Sequence, residues 1–323
     1  MDAALALMKN ITFVAVVVFK TVVVQSDAIV KLVKAASVEE EKIRNLTDQA
    51  IRKIYKSNVD YCNRVTKVII TYLYGSGTIY VLDGLYKSYT YYENHPNVKP
   101  EDPKPHTVLF WFPFDHNRYY KIAIAYESFH IFQTLNYNGV AQSVVSSVMV
   151  FLKIELKVLQ HHIRAIQGGS RDYQKVLIKC AIKHQQIIQW VNDFNNNFRF
   201  IILFEYSMIS LTLATILIDI LQGTKICFNA TFFALNFTQL FVLAWNANQI
   251  SDESSISISD ALYACSWYEF DKTTQDFVLF MTLRCKKPLN ISNGPFGYIN
   301  MDAALSRVKL AYTVVSVLST STK

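Results

Sequence analysis

Glycine, proline and regularly spaced cysteine are scarce in this chain. Among its 323 residues are only 9 glycines and 7 prolines. These are too few for flexible linkers between separate units, so a single domain covering 1–323 is expected. The five cysteines include no CxxC pair and no repeated spacing. That distribution indicates free thiols and argues against a disulfide framework or a zinc site.

Sequence motifs of the common enzyme classes are absent as well. There is no Walker loop, no GxGxxG and no GxSxG. His161 and His162 are adjacent, whereas a zinc pair on one helix face needs a spacing of four residues. We therefore expect no catalytic residues, no metal and no cofactor. The net charge of +7 raises the question of nucleic acid, which depends on where the basic residues lie.

Long apolar runs are abundant, and 51% of the residues are hydrophobic. Six runs have the length of about 20 residues that crosses a bilayer. They lie at about 5–30, 66–88, 119–152, 197–221, 226–248 and 299–320. The segments 38–60 and 176–198 are amphipathic instead. The sequence thus predicts an all-α fold, a polytopic membrane helical bundle of six spans with cytoplasmic helical extensions.

The basic residues collect in three of the five segments between these runs. Twenty Lys and Arg lie in 31–67, 153–196 and 248–298, against five in 89–121 and 222–226. Under the positive-inside rule the first three segments are cytoplasmic, which places both termini outside. The basic excess is therefore a topology signal, and we expect membrane lipid and no nucleic acid among the partners.

Aromatic side chains cluster toward the external halves of the second and third runs, which the proline-rich segment 92–115 connects. Core packing accounts for some of them, but a cavity for a small hydrophobic ligand would use the same residue types. The candidate ligand-binding residues are Tyr74, Tyr80, Phe129, Phe132 and Tyr137. The proline-rich segment is either a lid over such a cavity or an anchor at the membrane interface.

Several polar side chains lie inside the runs, among them Asp83, Glu127 and Glu205. Burying such groups in lipid is costly, so each is expected to face the bundle interior or water. For any one of them, an interhelical hydrogen bond or an end that reaches the interface is the simpler explanation.

The last third of the chain carries a recognisable order of parts. Trp267 lies in the last cytoplasmic segment, and an amphipathic stretch then leads to a basic turn at Lys287, Pro288 and Leu289. A Gly-Pro-Phe turn follows, and the final helix contains an Ala-Tyr pair at 311–312. This order resembles the C-terminal signature of insect odorant receptors, and the proline-rich external segment fits the same family.

The resemblance implies a ligand-tuning subunit of an odorant-gated, non-selective cation channel. Such a subunit forms a heterotetramer with the odorant co-receptor, binds a small volatile hydrophobic ligand and lies in the plasma membrane of olfactory neuron dendrites. The long insertion in the second cytoplasmic loop that marks the co-receptor is missing. Family members usually have seven spans, and this chain begins in what looks like the second, so we expect the first helix to be absent.

The resemblance also implies two functional regions between 153 and 323. Cytoplasmic parts of the last helices would anchor the subunits to one another. Trp267, Lys287 and Pro288 are the anchor residues that the family pattern indicates.

The last helix would line the pore. When the chain is aligned to the family through Tyr312, the gate positions fall on Val315, Leu318 and Ser319. Ala311 lies on the same helix face. Apolar side chains at such positions close a pore by excluding water.

Three other interpretations stay open. A G-protein-coupled receptor is disfavoured by the absence of a D/E-R-Y sequence at the end of a third helix and of NPxxY in the last. A gustatory receptor has a similar final helix, but the T-Y-hydrophobic-hydrophobic-Q-F close usual in that family is absent. A truncated receptor product without channel function is the third.

Overall fold

The structure is a computed structural model that describes residues 2–97, 99, 101–108, 111–166, 172–223 and 225–321. The side chains of residues 2–10, 12, 13 and 318–321 fall outside the description. Across the described residues the chain forms α-helices, and the one β contact among them is an isolated bridge between Ser292 and Tyr298. The predicted all-α fold is confirmed.

Three very long helices dominate the bundle, and shorter helices complete it. The helices are α1 (Asp2–Val24), α2 (Asp27–Asn45), α3 (Gln49–Asn94), α4 (Tyr120–Arg164), α5 (Tyr173–Leu221), α6 (Ile226–Asp252), α7 (Ile258–Ala264), α8 (Lys272–Cys285) and α9 (Met301–Ser321). A π-helical turn, Glu253–Ser257, joins α6 to α7 in one rod of 39 residues. Short 3₁₀ turns, Trp267–Glu269 and Gly294–Phe296, precede α8 and α9.

Four helices are long and apolar enough to cross a membrane: α3, α4, α5 and the α6–α7 rod. They contain four of the six predicted spans. The other two spans, 5–30 and 299–320, correspond to α1 and α9, which do not meet the same criterion over the described residues. The first of these spans was predicted too long, because α1 ends at Val24 and the extended backbone of Ser26 starts a new helix.

A stripe of buried side chains runs along most of α5, and α4 is one of the helices that pack against this stripe. Buried positions on α5 recur every three or four residues: Leu177, Cys180, His184, Ile187, Val191, Phe194, Phe198, Ile202, Tyr206 and Ile209. On α4 burial is continuous from Val148 to Leu156, and the apolar positions of that helix at the same spacing are Val145, Met149, Leu152, Leu156, Leu159 and Ile163. This spacing places each set on one helix face, and their apolar members belong to one continuous hydrophobic cluster. We call this contact the α4–α5 seam. The predicted amphipathic segment 176–198 forms its first half on α5.

The other predicted amphipathic helix, 38–60, is interrupted. In the structure α2 ends at Asn45, and Asp48 starts α3 by accepting hydrogen bonds from the backbone N–H groups of Ala50 at 2.8 Å and Ile51 at 3.4 Å. Aspartate is a preferred residue at a helix start. Predicting one helix across this point was wrong, because the apolar spacing concealed the capping residue.

The three basic segments meet at one end of the bundle, where α4 ends and α5 begins; we call it the basic end. Lys183 of α5 binds Glu39 of α2 at 3.3 Å and the buried Glu155 of α4 at 2.7 Å. Lys157 of α4 binds Glu253 of the π-helical turn at 3.2 Å. Burial raises the pKa of Glu155 even though Lys183 opposes that shift. Ion pairs therefore hold segments that are far apart in sequence at this end.

A buried ion pair joins α1 to the α4–α5 seam. Lys20 is 2% exposed, and its Nζ lies 2.5 Å from Glu205 Oε1 on α5. The same Nζ donates a hydrogen bond to Gln142 Oε1 on α4 at 2.8 Å. Charged groups inside an apolar bundle are tolerated when they are paired. The ion pair with Lys20 therefore offsets the cost of placing the Glu205 carboxylate inside the bundle.

We expect Lys20→Met to destabilise the protein strongly. The substitution leaves Glu205 buried without its cation, and breaking a buried pair in this way costs about 3–5 kcal/mol. The unfolding temperature of the detergent-solubilised protein should fall by several degrees. Arg44→Gln, which removes an exposed pair with Glu40, is the control and should change it little. Equal shifts for the two variants would contradict the assignment.

Candidate functional site

At the end of the bundle opposite the basic end, the segment between α3 and α4 packs against both helices; we call this the loop end. Thr107 lies on Gly84 of α3, where an added Cβ would come within 2.0 Å of Thr107 Oγ1. The hydroxyl of Tyr80 donates to the Thr107 carbonyl at 2.9 Å. The hydroxyl of Tyr91 donates to the Pro103 carbonyl at 3.1 Å. The close approach at Gly84 depends on the missing side chain.

Glu127 of α4 holds the same segment from the other side. It is 1% exposed, and its Oε2 accepts from the backbone N–H of Thr107 at 3.1 Å. Its Oε1 lies 2.6 Å from Nδ1 of His106. The hydroxyl of Tyr120 donates to the carbonyl of Pro105. Of the two interpretations left open by the sequence, these contacts favour a lid over the helices rather than an interfacial anchor.

A recess of about 260 Å³ lies beside the lid. Its walls include Ile79, Asp83, Lys225, Cys227 and Phe228. The ring of Tyr80 packs against two of these residues: its centroid is 4.7 Å from that of Phe228, and Lys225 Nζ lies 4.6 Å from it. This volume is close to the lower limit of small-molecule pockets, about 300 Å³.

Lys225 has an unusual backbone conformation in this recess. Its φ is 43°, in the left-handed region, which costs a residue with a side chain roughly 1–2 kcal/mol. Its Nζ lies 2.9 Å from Asp83 Oδ2. The ion pair and the Tyr80 ring stabilise this lysine where it lies. In the sequence, Lys225 stood out only as the single basic residue of the segment 222–226.

Two more candidates lie deeper between α3 and α4. Tyr74 and Phe132 stack with ring centroids 6.4 Å apart, and the Tyr74 hydroxyl donates to Asn136 Oδ1. Phe132 also packs on a cluster that includes Leu73 and Leu235. The structure thus places Tyr74, Tyr80 and Phe132 on the facing sides of α3 and its neighbours.

The remaining two candidates, Phe129 and Tyr137, point away from this region. They are 63% and 48% exposed. Tyr137 follows Phe132 by five residues, which turns it by about 140° round the helix. The structure therefore does not bring these two side chains together with the other three.

At the basic end the three predicted anchor residues flank α8: Trp267 precedes this helix, and Lys287 and Pro288 follow it. Trp267 is in the 3₁₀ turn before α8, and Lys287 is exposed just after it. Pro288 is half-buried. The next residue, Leu289, donates its backbone N–H to Ser254 Oγ at 2.9 Å, which ties this turn to the π-helical turn.

The second half of α8 exposes three large apolar side chains, whereas its first half exposes the charged pair Lys272 and Asp276. Leu279, Phe280 and Leu283 are 58%, 70% and 50% exposed, and Tyr263 of α7 is 80% exposed. We call these four residues the α8 face. Large apolar groups grouped on a surface outside the membrane spans are typical of an interaction site.

Two polar side chains of the basic end differ in their surroundings, since Asp271 is exposed and His184 is buried. Asp271 accepts hydrogen bonds from Thr274, Gln174 and Tyr173, which lower its pKa. Burial in the α4–α5 seam lowers the pKa of His184 to about 4, so this histidine is neutral at physiological pH. Among the described residues no three His, Cys, Asp or Glu side chains are placed to hold a metal.

On α9, Ala311 and Val315 face the bundle. They are 1% and 7% exposed and pack against α5 and α6. Tyr312 and Val317 lie on the exposed side, 70% and 63% exposed. In the described conformation both side chains are closed in by helices of the same chain, and their role at the pore stays a prediction.

The other two gate candidates, Leu318 and Ser319, belong to the same helix. Their side chains lie outside the described residues. The helix therefore contains all four predicted pore positions, and the structure describes the side chains of two.

Gly84→Ala is expected to detach the lid, because the new Cβ would overlap Thr107. Limited proteolysis of the solubilised protein should cut within 101–118 markedly faster than in the parent chain. Gly75→Ala on the same helix is the control, since an added Cβ there meets nothing within 4 Å. Equal cleavage rates in both variants would show that the lid does not depend on this contact.

Curated proteins similar to this chain are odorant receptors and co-receptors. Odorant receptor 10 of Aedes albopictus is 24% identical over 180 residues, which are 53% of this chain and 48% of that protein. The odorant receptor coreceptor of Harpegnathos saltator is 26% identical over 160 residues, 47% of this chain and 33% of the relative. The matched part is therefore less than half of each relative.

Solved structures show the same architecture. The insect olfactory receptor OR5 from Machilis hrabei in complex with eugenol matches with a TM-score of 0.81 at 14% identity, covering 98% of this chain and 81% of that one. A second structure of that receptor matches with a TM-score of 0.69 at 13% identity, covering 98% and 87%. At such low identity the likeness establishes the fold alone.

The family comparison covers nearly the whole chain. The model described as 7tm Odorant receptor matches residues 3–312. This agrees with the helical bundle, with the long apolar helices and with the absence of enzyme motifs. The chain belongs to the insect odorant receptor family, whose members are multi-pass membrane receptors and not enzymes.

Proposed function

We propose that this chain is the ligand-tuning subunit of a heteromeric, odorant-gated, non-selective cation channel in the plasma membrane of olfactory neuron dendrites. The observation that carries the proposal is the recess beside the docked lid at the loop end. In this proposal the loop end and the C-terminus are external and the basic end is cytoplasmic, in line with the distribution of Lys and Arg.

The recess suits a small hydrophobic ligand. Ile79 and Phe228 supply apolar surface, and Lys225 and Asp83 supply a few polar atoms, a combination that is usual in small-molecule sites. Tyr80 packs against Phe228 and Lys225 without lining the recess, and Tyr74 and Phe132 form a separate aromatic pair between α3 and α4. A volatile, mainly apolar molecule with one polar group is the ligand class that fits. The related receptor from Machilis hrabei was solved with eugenol, a molecule of this kind.

The α8 face supports assembly with a partner subunit. An exposed apolar surface beside Trp267, Lys287 and Pro288 is where we propose that the odorant co-receptor binds to form a heterotetramer. Similarity to both tuning receptors and co-receptors is consistent with two subunits that share one fold.

We propose α9 as the pore helix, with the gate near Val315, Leu318 and Ser319. In the described conformation Val315 packs α9 against α5 and α6 and so fixes the position of α9. The neighbouring side chains Tyr312 and Val317 are exposed, and in this proposal they are available to a central channel. The whole proposal is tested by co-expressing the chain with an odorant co-receptor and recording currents against an odorant panel. Currents that need both subunits and a ligand are expected; a surface-expressed pair silent to every odorant would contradict it.

Phe132→Leu is expected to change the odorant response, because it alters the packing against Tyr74 between α3 and α4, where we propose that the ligand also makes contact. The concentration that gives half-maximal current should shift about tenfold or more for some odorants, as expected for small changes in an apolar pocket. Phe129→Leu is the matched control, since it makes the same change on an exposed side chain. Identical response profiles for the two variants would contradict the pocket assignment.

Val315→Ala is expected to raise the current measured without odorant, because it loosens the packing of α9 on α5 and α6. Val317→Ala removes the same atoms from the exposed side of α9. If Val317→Ala raises this leak and Val315→Ala leaves it unchanged at equal surface expression, the packing role of Val315 is refuted.

A further inference from the structure

A second cavity, of about 310 Å³, lies at the basic end between α3, α4 and the π-helical turn. Its walls are formed by Ile54, Lys157, Gln160, His161, Arg164 and Glu253. This volume is at the lower end of small-molecule pockets, which begin at about 300 Å³. It is far from the lid and the recess, and the proposed odorant response gives it no role.

Three basic side chains enter this cavity from one helix face. Lys157, His161 and Arg164 follow one another at spacings of four and three residues on α4, so they lie one above the other. Two carboxylates oppose them: Glu253 Oε1 lies 3.2 Å from Lys157 Nζ, and Asp48 Oδ2 lies 2.9 Å from His161 Nε2. Among the residues that line the cavity, the permanently charged groups are the cations Lys157 and Arg164 and the one carboxylate Glu253; Asp48 lies outside the lining and pairs with His161.

Arg164 is the basic side chain of this column that has no carboxylate partner among the described residues, so it is available to a ligand. Within the part of the chain that the structure describes, no carboxylate lies within ion-pair distance of its guanidinium, and the residue is exposed at the cavity rim. A planar guanidinium binds phosphate oxygens with two parallel hydrogen bonds. Lys157 and His161 are half-buried and lie deeper on the same side.

The wall opposite these side chains is built from the π-helical turn. Gln160 Nε2 donates to both the backbone carbonyl and the carboxylate of Glu253, at 3.0 and 2.8 Å. One-turn π-helical insertions are frequent at functional sites. Here the insertion places the Glu253 carboxylate against the basic column.

The cavity lies close to the membrane surface. The apolar run of α4 ends at about residue 152, so at 1.5 Å per residue Lys157 lies about 8 Å and Arg164 about 18 Å beyond it along the axis. The headgroup layer is about 5–8 Å thick on each side of the hydrocarbon, so Lys157 lies at its edge and Arg164 lies beyond it, within reach of a phosphate that projects from the membrane surface. Basic pockets between helices on the cytoplasmic side are the type of site that binds phosphorylated inositol lipids.

We propose that this cavity binds a phosphate monoester group, with Arg164 and Lys157 as the principal ligands and His161 as a third donor. The depth favours the headgroup of a phosphoinositide of the adjacent leaflet over a soluble phosphate. Binding displaces the Glu253 carboxylate from Lys157, because both compete for the same ammonium group.

The test uses the purified full chain without odorant, so that it does not depend on channel function. The soluble probe is inositol trisphosphate, whose binding is measured by calorimetry. Arg164→Gln should weaken binding about tenfold or more, as expected for a lost charge-assisted contact. Glu253→Gln should tighten it several-fold, because the competing carboxylate is neutralised. Lys179→Gln, which removes an exposed lysine of α5 at the same end, should leave it unchanged.

The lipid arm compares nanodiscs of phosphatidylcholine containing phosphatidylinositol bisphosphate with nanodiscs of equal charge containing phosphatidylserine. A higher unfolding temperature in the first, lost in Arg164→Gln, supports the lipid headgroup as the source. Binding of inositol trisphosphate without that lipid effect supports a soluble phosphate in the same site. Binding that is absent, or equally affected by Arg164→Gln and Lys179→Gln, overturns the proposal.

Discussion

The stripe of buried side chains along α5 is the feature on which the rest of the bundle depends, because α1, α4, α6 and α9 all contact this helix. It extends from Leu177 near the start of α5 to Ile209 far along the same helix. The hydrophobic effect stabilises its first half, where burying each large apolar side chain contributes about 1.5–3 kcal/mol to the free energy of folding. Lipid supplies no such force to the second half, where close packing and polar contacts hold helices together. The Lys20–Glu205 pair, with Gln142, is the polar contact that fixes α1 there.

This arrangement separates two kinds of surface. The loop end carries a lid, aromatic rings and a small recess, while the basic end carries ion pairs, the α8 face and the phosphate-sized cavity. The loop end is built on α3, α4 and the start of α6, and the basic end on α2, α4, α5 and the π-helical turn, so α4 takes part in both. At the basic end the π-helical turn connects two other elements. Its Glu253 pairs with Lys157 of α4, and the Oγ of its Ser254 accepts a hydrogen bond from the backbone N–H of Leu289, just after α8.

Periodicity made most of the fold predictable. The apolar runs and the three-and-four spacing of 176–198 indicated the long helices, because both depend only on residues near one another in sequence. The break before α3 was missed, since apolar spacing says little about where a capping residue ends a helix. For Ala311 and Val315, the pattern identified a shared face correctly but could not tell which neighbours that face meets.

The recess was predictable only in part for a related reason. Tyr80 and Phe132 could be chosen because aromatic residues gather near the ends of two joined runs. Phe129 and Tyr137 satisfied the same rule, yet aromatic residues are also common where helices meet the membrane interface. Phe228 and Lys225 come from a helix that is remote in sequence, and no local pattern connects them to Tyr80.

The separation of the two ends is the central claim, and labelling from one side of the membrane tests it most directly. Trp111 and Tyr263 are matched aromatic positions, 79% and 80% exposed at the loop end and the basic end. Each would be changed to cysteine in a Cys227→Ser background and treated with a membrane-impermeant maleimide in intact cells. The account predicts labelling of Trp111→Cys in intact cells and of Tyr263→Cys only after permeabilisation. Labelling of Tyr263→Cys in intact cells would contradict it.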